Sequence, residues 1–370
     1  MSNTAETVNA LIDNLVATGW RLLELPMFML LPAGVVVAAA VAIILRRRWK
    51  QVAIVEAALL LIALVFVADR KLARLQQQLD ALRLQNASNT IQALASVSTR
   101  PSTRQKLLFD LPQAQSELSA SFKGLTLKPL IYDAATDVVQ FHAAVPLTQA
   151  YIAIVDLSHP GVTLHIGGSL ASKSLTSVFA KQNQLTVAIN GEAGLSPDPY
   201  SGLGSWSGEW IQNGKEVLKE TAANPRPYLY FDRTNHPGFI ASTIKPRATT
   251  PAMYNVMWGR LDALIDGRVQ TADESYRQPR TAMAINQHGS LLYLLVVDGR
   301  QPRYSTGFTR AEVGGVLKAL GAWNGMLCDE GGSSCIFLSQ FGGICNNPSD
   351  GRERVTYTHF GIAVAPANDQ

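Results

Sequence analysis

Two long apolar runs dominate the first 70 residues. The first extends from Met27 to Leu45 without a charge, and the second from Val52 to Ala68 with Glu56 as its one charged residue. A helix needs about 20 apolar residues to cross a bilayer. We therefore predict transmembrane helices at residues 27–45 and 52–68, which together make residues 1–69 a membrane anchor.

A basic loop, RRRWK at residues 46–50, separates the two runs. Basic loops favour the cytoplasmic side, so a helical hairpin would lie in the cytoplasmic (inner) membrane with the C-terminal domain on its outer, periplasmic or extracellular, side. Arg70, Lys71 and Arg74 follow the second run and oppose this orientation. If the second run only lay on the membrane, the C-terminal part would be cytoplasmic.

The next segment, residues 70–124, changes to polar patterns. Leucines at 72, 75, 79 and 82 have a helical spacing over about two heptads, and a stretch rich in Ser, Thr, Ala and Asn follows. This predicts a membrane-proximal helix and a linker.

From about Leu125 the pattern becomes one of short apolar runs bounded by Gly, Pro, Asp or Asn, which is typical of β-strands. Two helices are predicted among them, at Ser174–Asn183 and at Thr309–Ala322, the second with Thr309 and Glu312 as a capping box. Strands outnumber helices and do not alternate with them. We predict an α+β domain over residues 125–370, with a mixed, largely antiparallel sheet and few helices.

Composition excludes several classes. The formal net charge of +4 over 370 residues, without a long basic stripe, does not indicate nucleic-acid binding. Three cysteines, all between Cys328 and Cys345, are too few for a disulfide scaffold, although Cys335 and Cys345 remain a candidate pair. Six scattered histidines form no metal-ligand motif, so no metal site is predicted from them.

Several strand patterns end in polar residues. Asn190-Gly191-Glu192, Asp298-Gly299-Arg300 and the segment Asp329–Ser334 each follow an apolar run, and Arg280 stands beside a strand start. Each pair alone is also an ordinary turn sequence. If neighbouring strands place these ends on one rim, the rim forms a cleft with carboxylates, arginine and glycine-rich backbone suited to an anion.

Other chemistries fit less well. GGSSC lacks the G-x-S-x-G elbow of a serine hydrolase, and Cys328 and Cys335 flank apolar runs as core cysteines do. A metal-dependent phosphohydrolase would need a ligand set; four acidic residues are candidates for a divalent cation, without any established spacing: Asp298, Asp329, Glu330 and Asp350.

The segment from about Thr186 to Val364 resembles the phosphodiester glycosidase family. The matching stretches, in order, are VAING (187–191), RQPRTAMAI (277–285), the long stretch from LYLLVVDGRQPRYSTGF to DEGGSS (292–334), and NNPSDGRERVTYTHFGIAV (346–364). The resemblance implies hydrolysis of a sugar-1-phosphodiester, which releases the sugar and leaves a phosphomonoester.

The resemblance also implies roles for the residues. Asp329 would be the main catalytic carboxylate, with Glu330 and Asp298 beside it, and Arg280 would hold phosphate. The remaining implied substrate contacts are the sugar-binding Asn190 (with Asp298), the anion pocket Gly331, Gly332, Ser333 and Ser334, the rim residues Asp350 and Arg352, and Glu192 and Arg300.

This chain departs from the family pattern at two acidic positions. Glu330 stands where the family has the first glycine of D-G-G-G-S-S, and Glu192 follows Asn-Gly where the family has a small residue. Two added carboxylates oppose phosphate binding by about 1 kcal/mol or more per close pair. The substrate is then a glycan without phosphate, the pocket binds a cation, or hydrolysis has been lost.

The leading hypothesis is a membrane-anchored glycosidase that acts on an envelope or exported glycan. The alternative is an inactive glycan-binding or assembly subunit of a polysaccharide export system. The predicted partners are a glycan or sugar-phosphate substrate, the lipid bilayer and envelope polysaccharide machinery, without nucleic acid; no cofactor is predicted, and a divalent cation stays open.

Overall fold

The computed structural model describes residues 71, 106–192, 208–220, 225–244, 252–270 and 276–365. The chain divides into two units, Met1–Gln78 and Leu79–Gln370, and the sheets below belong to the second. Both predicted transmembrane helices, 27–45 and 52–68, lie outside the described residues. Within the described ranges, no helix has the length and apolarity needed to span a membrane.

The described part of the domain is built mainly from short strands. In chain order they are β1 Thr126–Ile131, β2 Thr136–Ala144, β3 Leu147–Asp156, β4 Val162–Gly168, β5 Val187–Asn190, β6 Trp210–Gln212, β7 Lys215–Leu218, β8 Tyr228–Phe231, β9 Pro237–Ile240, β10 Asn255–Trp258, β11 Leu261–Ile265, β12 Arg268–Val269, β13 Arg280–Ile285, β14 Leu291–Val297, β15 Asn324–Leu327, β16 Ile336–Leu338, β17 Gly343–Ile344 and β18 Thr358–Val364.

Three α-helices accompany the strands in the described ranges: α1 Leu111–Ser119, α2 Thr176–Gln182 and α3 Arg310–Ala319. Helices α2 and α3 fall inside the two predicted helical segments, and the predicted capping box of Thr309 and Glu312 is present at α3. Helix α1 was not predicted. Asp110 caps it by accepting a hydrogen bond from the Gln113 backbone N–H.

The strands form three sheets, with the orders β1-β2-β3-β14-β13-β15-β11-β12, β7-β6-β10-β8-β9 and β17-β16-β5-β18-β4. Every strand pair that the structure describes is antiparallel. The prediction of largely antiparallel sheets with few helices is confirmed, whereas the parallel component of a mixed sheet is not found among these strands.

The eight-stranded sheet is covered on both faces. Successive strand residues point to opposite faces, and in β13 Met283 and Ile285 belong to one hydrophobic cluster while Ala282 and Ala284 belong to another. The first cluster also contains residues of the two smaller sheets. The second contains residues of α1 and α3. Burial on both faces explains why the central strands are continuously apolar.

Candidate active site

The ends of three strands meet at Asp329. After β15, the Cys328 backbone N–H donates to the Thr281 carbonyl at 2.8 Å, and the Asp329 N–H donates to the Gly191 carbonyl at 3.1 Å. Asp329 is thus joined through its backbone to the end of β5 and lies beside the start of β13. The non-local pairing of β13 with β15 and the backbone hydrogen bond to Gly191, the residue after β5, therefore place this acid.

Asn190 ties these strand ends together. Its side chain is fully buried. Oδ1 accepts from Thr281 Oγ1 at 2.8 Å and from the Cys335 N–H at 3.1 Å, while Nδ2 donates to the Asp329 carbonyl at 3.0 Å. Because its polar atoms are directed into the protein, Asn190 positions Asp329, and this geometry does not favour the predicted contact with sugar hydroxyls.

The Asp329 carboxylate lies in a charged, mostly buried environment. Its side chain is 13% exposed, and Arg260 Nη1 lies 3.9 Å from Oδ1. Oδ1 also accepts from the Glu330 N–H at 3.0 Å. Burial raises the pKa of Asp329, while the Ser333 hydroxyl, Arg260 and Arg354 favour the ionised form.

Glu192, which follows β5, is the second acid beside Asp329. It is 4% exposed, and its Oε2 has no hydrogen-bond partner among the described residues. Burial, followed by the negative charge of Asp329, raises the pKa of Glu192 to about 8. Glu192 and Asp329 thus form an interacting carboxyl pair in which the ionisation of one acid opposes the ionisation of the other.

Glu330 does not add an unpaired charge to the site. Its Oε1 lies 2.6 Å from Arg280 Nη1, with the two side chains 5% and 0% exposed. Its Oε2 accepts from Gln278 Nε2 at 2.7 Å, and Gln278 Oε1 accepts from Arg300 Nη2 at 2.7 Å. The side chains form a continuous chain, Arg300–Gln278–Glu330–Arg280.

This ion pair changes the interpretation of Arg280. Besides Glu330, its guanidinium donates from Nε to the Phe308 carbonyl at 3.0 Å. A fully buried arginine held this way argues against the predicted contact with phosphate, and it explains how a glutamate is accommodated beside Asp329. The carboxylate at position 330 is balanced by the arginine at position 280.

The glycine-rich segment after Glu330 is packed closely. Gly331 has φ +69°, a conformation that favours glycine, and its N–H donates to the Pro279 carbonyl. The Ser334 N–H donates to the Gly331 carbonyl. A Cβ on Gly332 would collide with Asp350 Oδ1. Two of the backbone donors predicted for an anion pocket are therefore already used inside the protein.

Ser333 and Ser334 differ in their contacts. Ser333 Oγ accepts from Arg354 Nη1 at 3.4 Å and its hydroxyl interacts with Asp329. Ser334 Oγ is buried without a hydrogen-bond partner among the described residues. Ser333 is thus the serine associated with the carboxyl pair.

Two arginines that the sequence interpretation missed lie at this site. Arg260 connects β10 and β11, and its N–H donates to the Leu327 carbonyl at 2.6 Å. Arg354 donates from Nε to Asp350 Oδ2 at 3.0 Å. Arg354 and Arg352, the predicted rim residue, are both exposed. No sequence signal marks Arg260. The i,i+4 spacing of Asp350 and Arg354 predicts a side-chain pair only on a helix, and these residues lie in a turn and the irregular segment after it.

Asp298 belongs to a separate network. It is 1% exposed and accepts from Tyr304 Oη at 3.1 Å, Asn346 Nδ2 at 2.9 Å and the Asn347 N–H at 2.9 Å. Burial raises the pKa of Asp298 to about 7, although these hydrogen bonds favour the ionised form. Its oxygens are engaged by the protein, so this geometry favours a structural role over the predicted grip on sugar.

The structure also bears on the metal site, the disulfide and the cysteine nucleophile considered from the sequence. In the described ranges, no group of three or more His, Cys, Asp or Glu side chains is arranged to hold a metal ion. All three cysteines are free and buried, so the candidate Cys335–Cys345 disulfide is wrong. Burial raises the pKa of Cys335 to about 12, which does not favour a nucleophilic thiolate.

Comparison with known proteins identifies the class of this domain. Residues 183–363 match the family model of the phosphodiester glycosidases. This part of the chain therefore belongs to the phosphodiester glycosidase family, and the resemblance noted in the sequence is confirmed. No protein of curated function matches the chain.

Two solved structures match part of this chain. The zebrafish N-acetylglucosamine-1-phosphodiester alpha-N-acetylglucosaminidase catalytic domain, auto-inhibited by its pro-peptide, superimposes with a TM-score of 0.48 at 19% identity, over 65% of this chain and 83% of that chain. A hypothetical protein from Synechocystis gives a TM-score of 0.48 at 12% identity, over 66% of this chain and 64% of that chain.

Proposed function

We propose that the domain hydrolyses the bond between C1 of a sugar and a phosphodiester oxygen, with Asp329 as the principal carboxylate. The observation that carries this proposal is the position of Asp329, which is held by the backbone at the joined ends of β5 and β15, within the segment that matches the family. Arg260 and Arg354 supply positive charge beside it.

The chemistry follows from the leaving group. A phosphodiester oxygen departs with the electron pair of the C1–O bond and needs little protonation. The Asp329 carboxylate stabilises the positive charge that develops on the sugar ring, or accepts a proton from the water whose oxygen forms the new bond to C1. Arg260 and Arg354, rather than the buried Arg280, would hold the departing phosphate group.

We also propose, from the apolar runs of the sequence, that residues 1–69 anchor the protein in the cytoplasmic membrane and leave the domain on its outer side. The substrate would then be an envelope or exported glycan. A reporter active only outside the cytoplasm, fused after Gln370, should be active. A silent reporter, with a cytoplasmic reporter active at the same position, would contradict this orientation.

The test of the activity uses the full chain in detergent and the methyl phosphodiesters of N-acetylglucosamine-1-phosphate and glucose-1-phosphate, as both anomers. Asp329→Asn should lower kcat/KM by about a thousandfold, as expected for loss of a catalytic carboxylate. Asp266→Asn, a change of an exposed acid at the β11–β12 turn, is the matched control and should leave kcat/KM unchanged.

The opposite result is also informative. If the unmodified protein binds these compounds without turnover, the proposed activity is wrong, and the alternative of a glycan-binding or assembly subunit gains support. Equal activity of Asp329→Asn and the unmodified protein would remove Asp329 from its role.

A further inference from the structure

Glu192 has no part in the phosphodiester reaction described above, because a phosphodiester oxygen leaves without an acid. Yet its carboxyl group is almost completely buried and Oε2 has no hydrogen-bond partner among the described residues. A buried polar atom without a partner costs free energy, about 1–3 kcal/mol. An acid kept in this state beside Asp329 calls for a chemical explanation.

Backbone hydrogen bonds hold Glu192 close to Asp329. Its carbonyl accepts from Thr358 Oγ1 at 2.6 Å. The preceding Gly191 donates its N–H to the Thr358 carbonyl at 2.8 Å and accepts from the Asp329 N–H at 3.1 Å. The backbones of the two acids are thus separated by one hydrogen bond and one residue, which holds both carboxyl groups at one site.

The charged surroundings of Glu192 come from several elements. Asp329 and Glu330 oppose its ionisation, whereas Arg260 and Arg226 favour it. Burial, and after it the negative charge of Glu192, raises the pKa of the Cys328 thiol, which precedes Asp329. Arg226 Nη1 donates to the Arg260 carbonyl at 2.7 Å. Asp329 has Arg260, Ser333 and the Glu330 N–H to stabilise its charge, so Glu192 is the member of the pair that retains the proton.

We propose that Glu192 is a general acid, and that the domain therefore also hydrolyses O-glycosides, in which the sugar is joined to an alcohol oxygen. This inference rests on the proposed function, because it uses the same site and the same Asp329. An alcohol oxygen is a poor leaving group and requires a proton, which is the requirement that a second carboxyl group meets in glycosidases.

The reaction balances with these two groups and one water molecule. The Glu192 carboxyl transfers its proton to the glycosidic oxygen while the C1–O bond breaks and its electron pair stays on that oxygen, which leaves as an alcohol. The oxygen of water forms a bond to C1, and the water proton passes to Asp329. Exchange of one proton with solvent returns Glu192 to its acid form and Asp329 to its carboxylate.

The experiment compares leaving groups on one sugar. The unmodified full chain, Glu192→Gln and the control Glu216→Gln, an exposed glutamate of β7, are assayed with a methyl glycoside, a 2,4-dinitrophenyl glycoside and the methyl phosphodiester, each of N-acetylglucosamine and glucose in both anomers. Glu192→Gln should lower kcat/KM for the methyl glycoside about a thousandfold. For the dinitrophenyl glycoside and the phosphodiester the loss should stay below about tenfold, and Glu216→Gln should not change any rate.

A second readout uses the unmodified protein alone and does not depend on the folding of a variant. Because burial and Asp329 raise the pKa of Glu192 to about 8, kcat/KM for the methyl glycoside should fall as pH rises through that value. The phosphodiester rate should fall less over the same range.

The outcomes separate this inference from the proposed function. Hydrolysis of the phosphodiester without hydrolysis of any methyl glycoside overturns the inference and leaves the proposed function standing. Equal losses of all three activities in Glu192→Gln, or parallel pH profiles for the methyl glycoside and the phosphodiester, also overturn it. If the unmodified protein cleaves neither class of compound, both proposals fail.

Discussion

Asp298 and Glu192 are both buried acids that follow a strand, but their carboxylate oxygens differ in the hydrogen bonds that they accept. Asp298 accepts from a tyrosine hydroxyl, an asparagine amide and a backbone N–H, whereas Oε2 of Glu192 has no partner among the described residues. Burial raises the pKa of both carboxyl groups. Burial alone therefore does not separate a structural acid from a reactive one.

The difference lies in the hydrogen bonds. Donors that surround a carboxylate fix its position and stabilise the fold, as they do for Asp298. In Glu330, Oε2 accepts from Gln278, and Oε1 is balanced by the charge of Arg280 in an ion pair. An oxygen without donors stays available to transfer a proton, at a cost in stability that functional sites commonly carry. Substitution of a carboxyl group surrounded by donors should lower the free energy of unfolding, whereas substitution of one with an oxygen that lacks donors should raise it.

The largest effect is expected for Glu330. Glu330→Gln leaves the fully buried Arg280 guanidinium without its counter-charge, and loss of one partner of a buried ion pair costs about 3–5 kcal/mol. Chemical unfolding monitored by circular dichroism measures this loss. The double variant Arg280→Met with Glu330→Leu should lose less than Glu330→Gln, and a greater loss in the double variant would contradict the ion-pair explanation.

Asp298 should give an intermediate effect. Asp298→Ala leaves three donors without their acceptor and should lower the free energy of unfolding by about 2–3 kcal/mol.

The pH dependence of stability tests the same residue. Burial raises the folded-state pKa of Asp298 to about 7, above its ordinary value of about 3.9. The folded state then binds more protons than the unfolded state between these values, so the contribution of Asp298 to stability decreases as pH rises through this window. Because the raised pKa of Glu192 gives a slope of the same sign, Asp298→Ala should reduce the slope without abolishing it, and an unchanged slope would assign it to groups other than Asp298.

Glu192 should respond with the opposite sign. Glu192→Gln removes the cost of ionising a buried carboxyl group beside Asp329 and should raise the free energy of unfolding by about 1 kcal/mol above pH 8. Unfolding at pH 6 and pH 9 measures the difference, which should be larger at pH 9. Destabilisation similar to that of Asp298→Ala would place Glu192 in the structural class.

The last comparison concerns substrate binding, not stability, and distinguishes two arginines near the C-terminus of the domain. Arg354→Ala removes a charged group that contacts Asp350 and Ser333 and favours the ionised form of Asp329, so KM for the phosphodiester should rise about tenfold, which equals about 1.4 kcal/mol. Arg352→Ala, at an exposed position, should change KM less than twofold. Equal effects would show that the two positions contribute only general positive charge.

Sequence alone determined the local elements and the class of the domain. Apolar periodicity indicated the strands, and the capping box of Thr309 and Glu312 located α3, because these signals depend on residues a few positions apart. The motif around Asp329 identified the family. Helix α1 was missed because it spans only Leu111–Ser119, and isolated helices this short gain their stability from packing, here through Ala114 and Leu118.

Only the tertiary structure decided what each polar residue contacts. The pairing of β13 with β15 brings Glu330 to Arg280, and the turn between β10 and β11 brings Arg260 to Asp329. These partners are about 50 to 70 residues apart in the chain, where no local periodicity connects them. Burial and the supply of hydrogen-bond donors are properties of the packed domain, and they separate Asp298 and Glu330, which stabilise the fold, from Glu192, which has an oxygen left for chemistry.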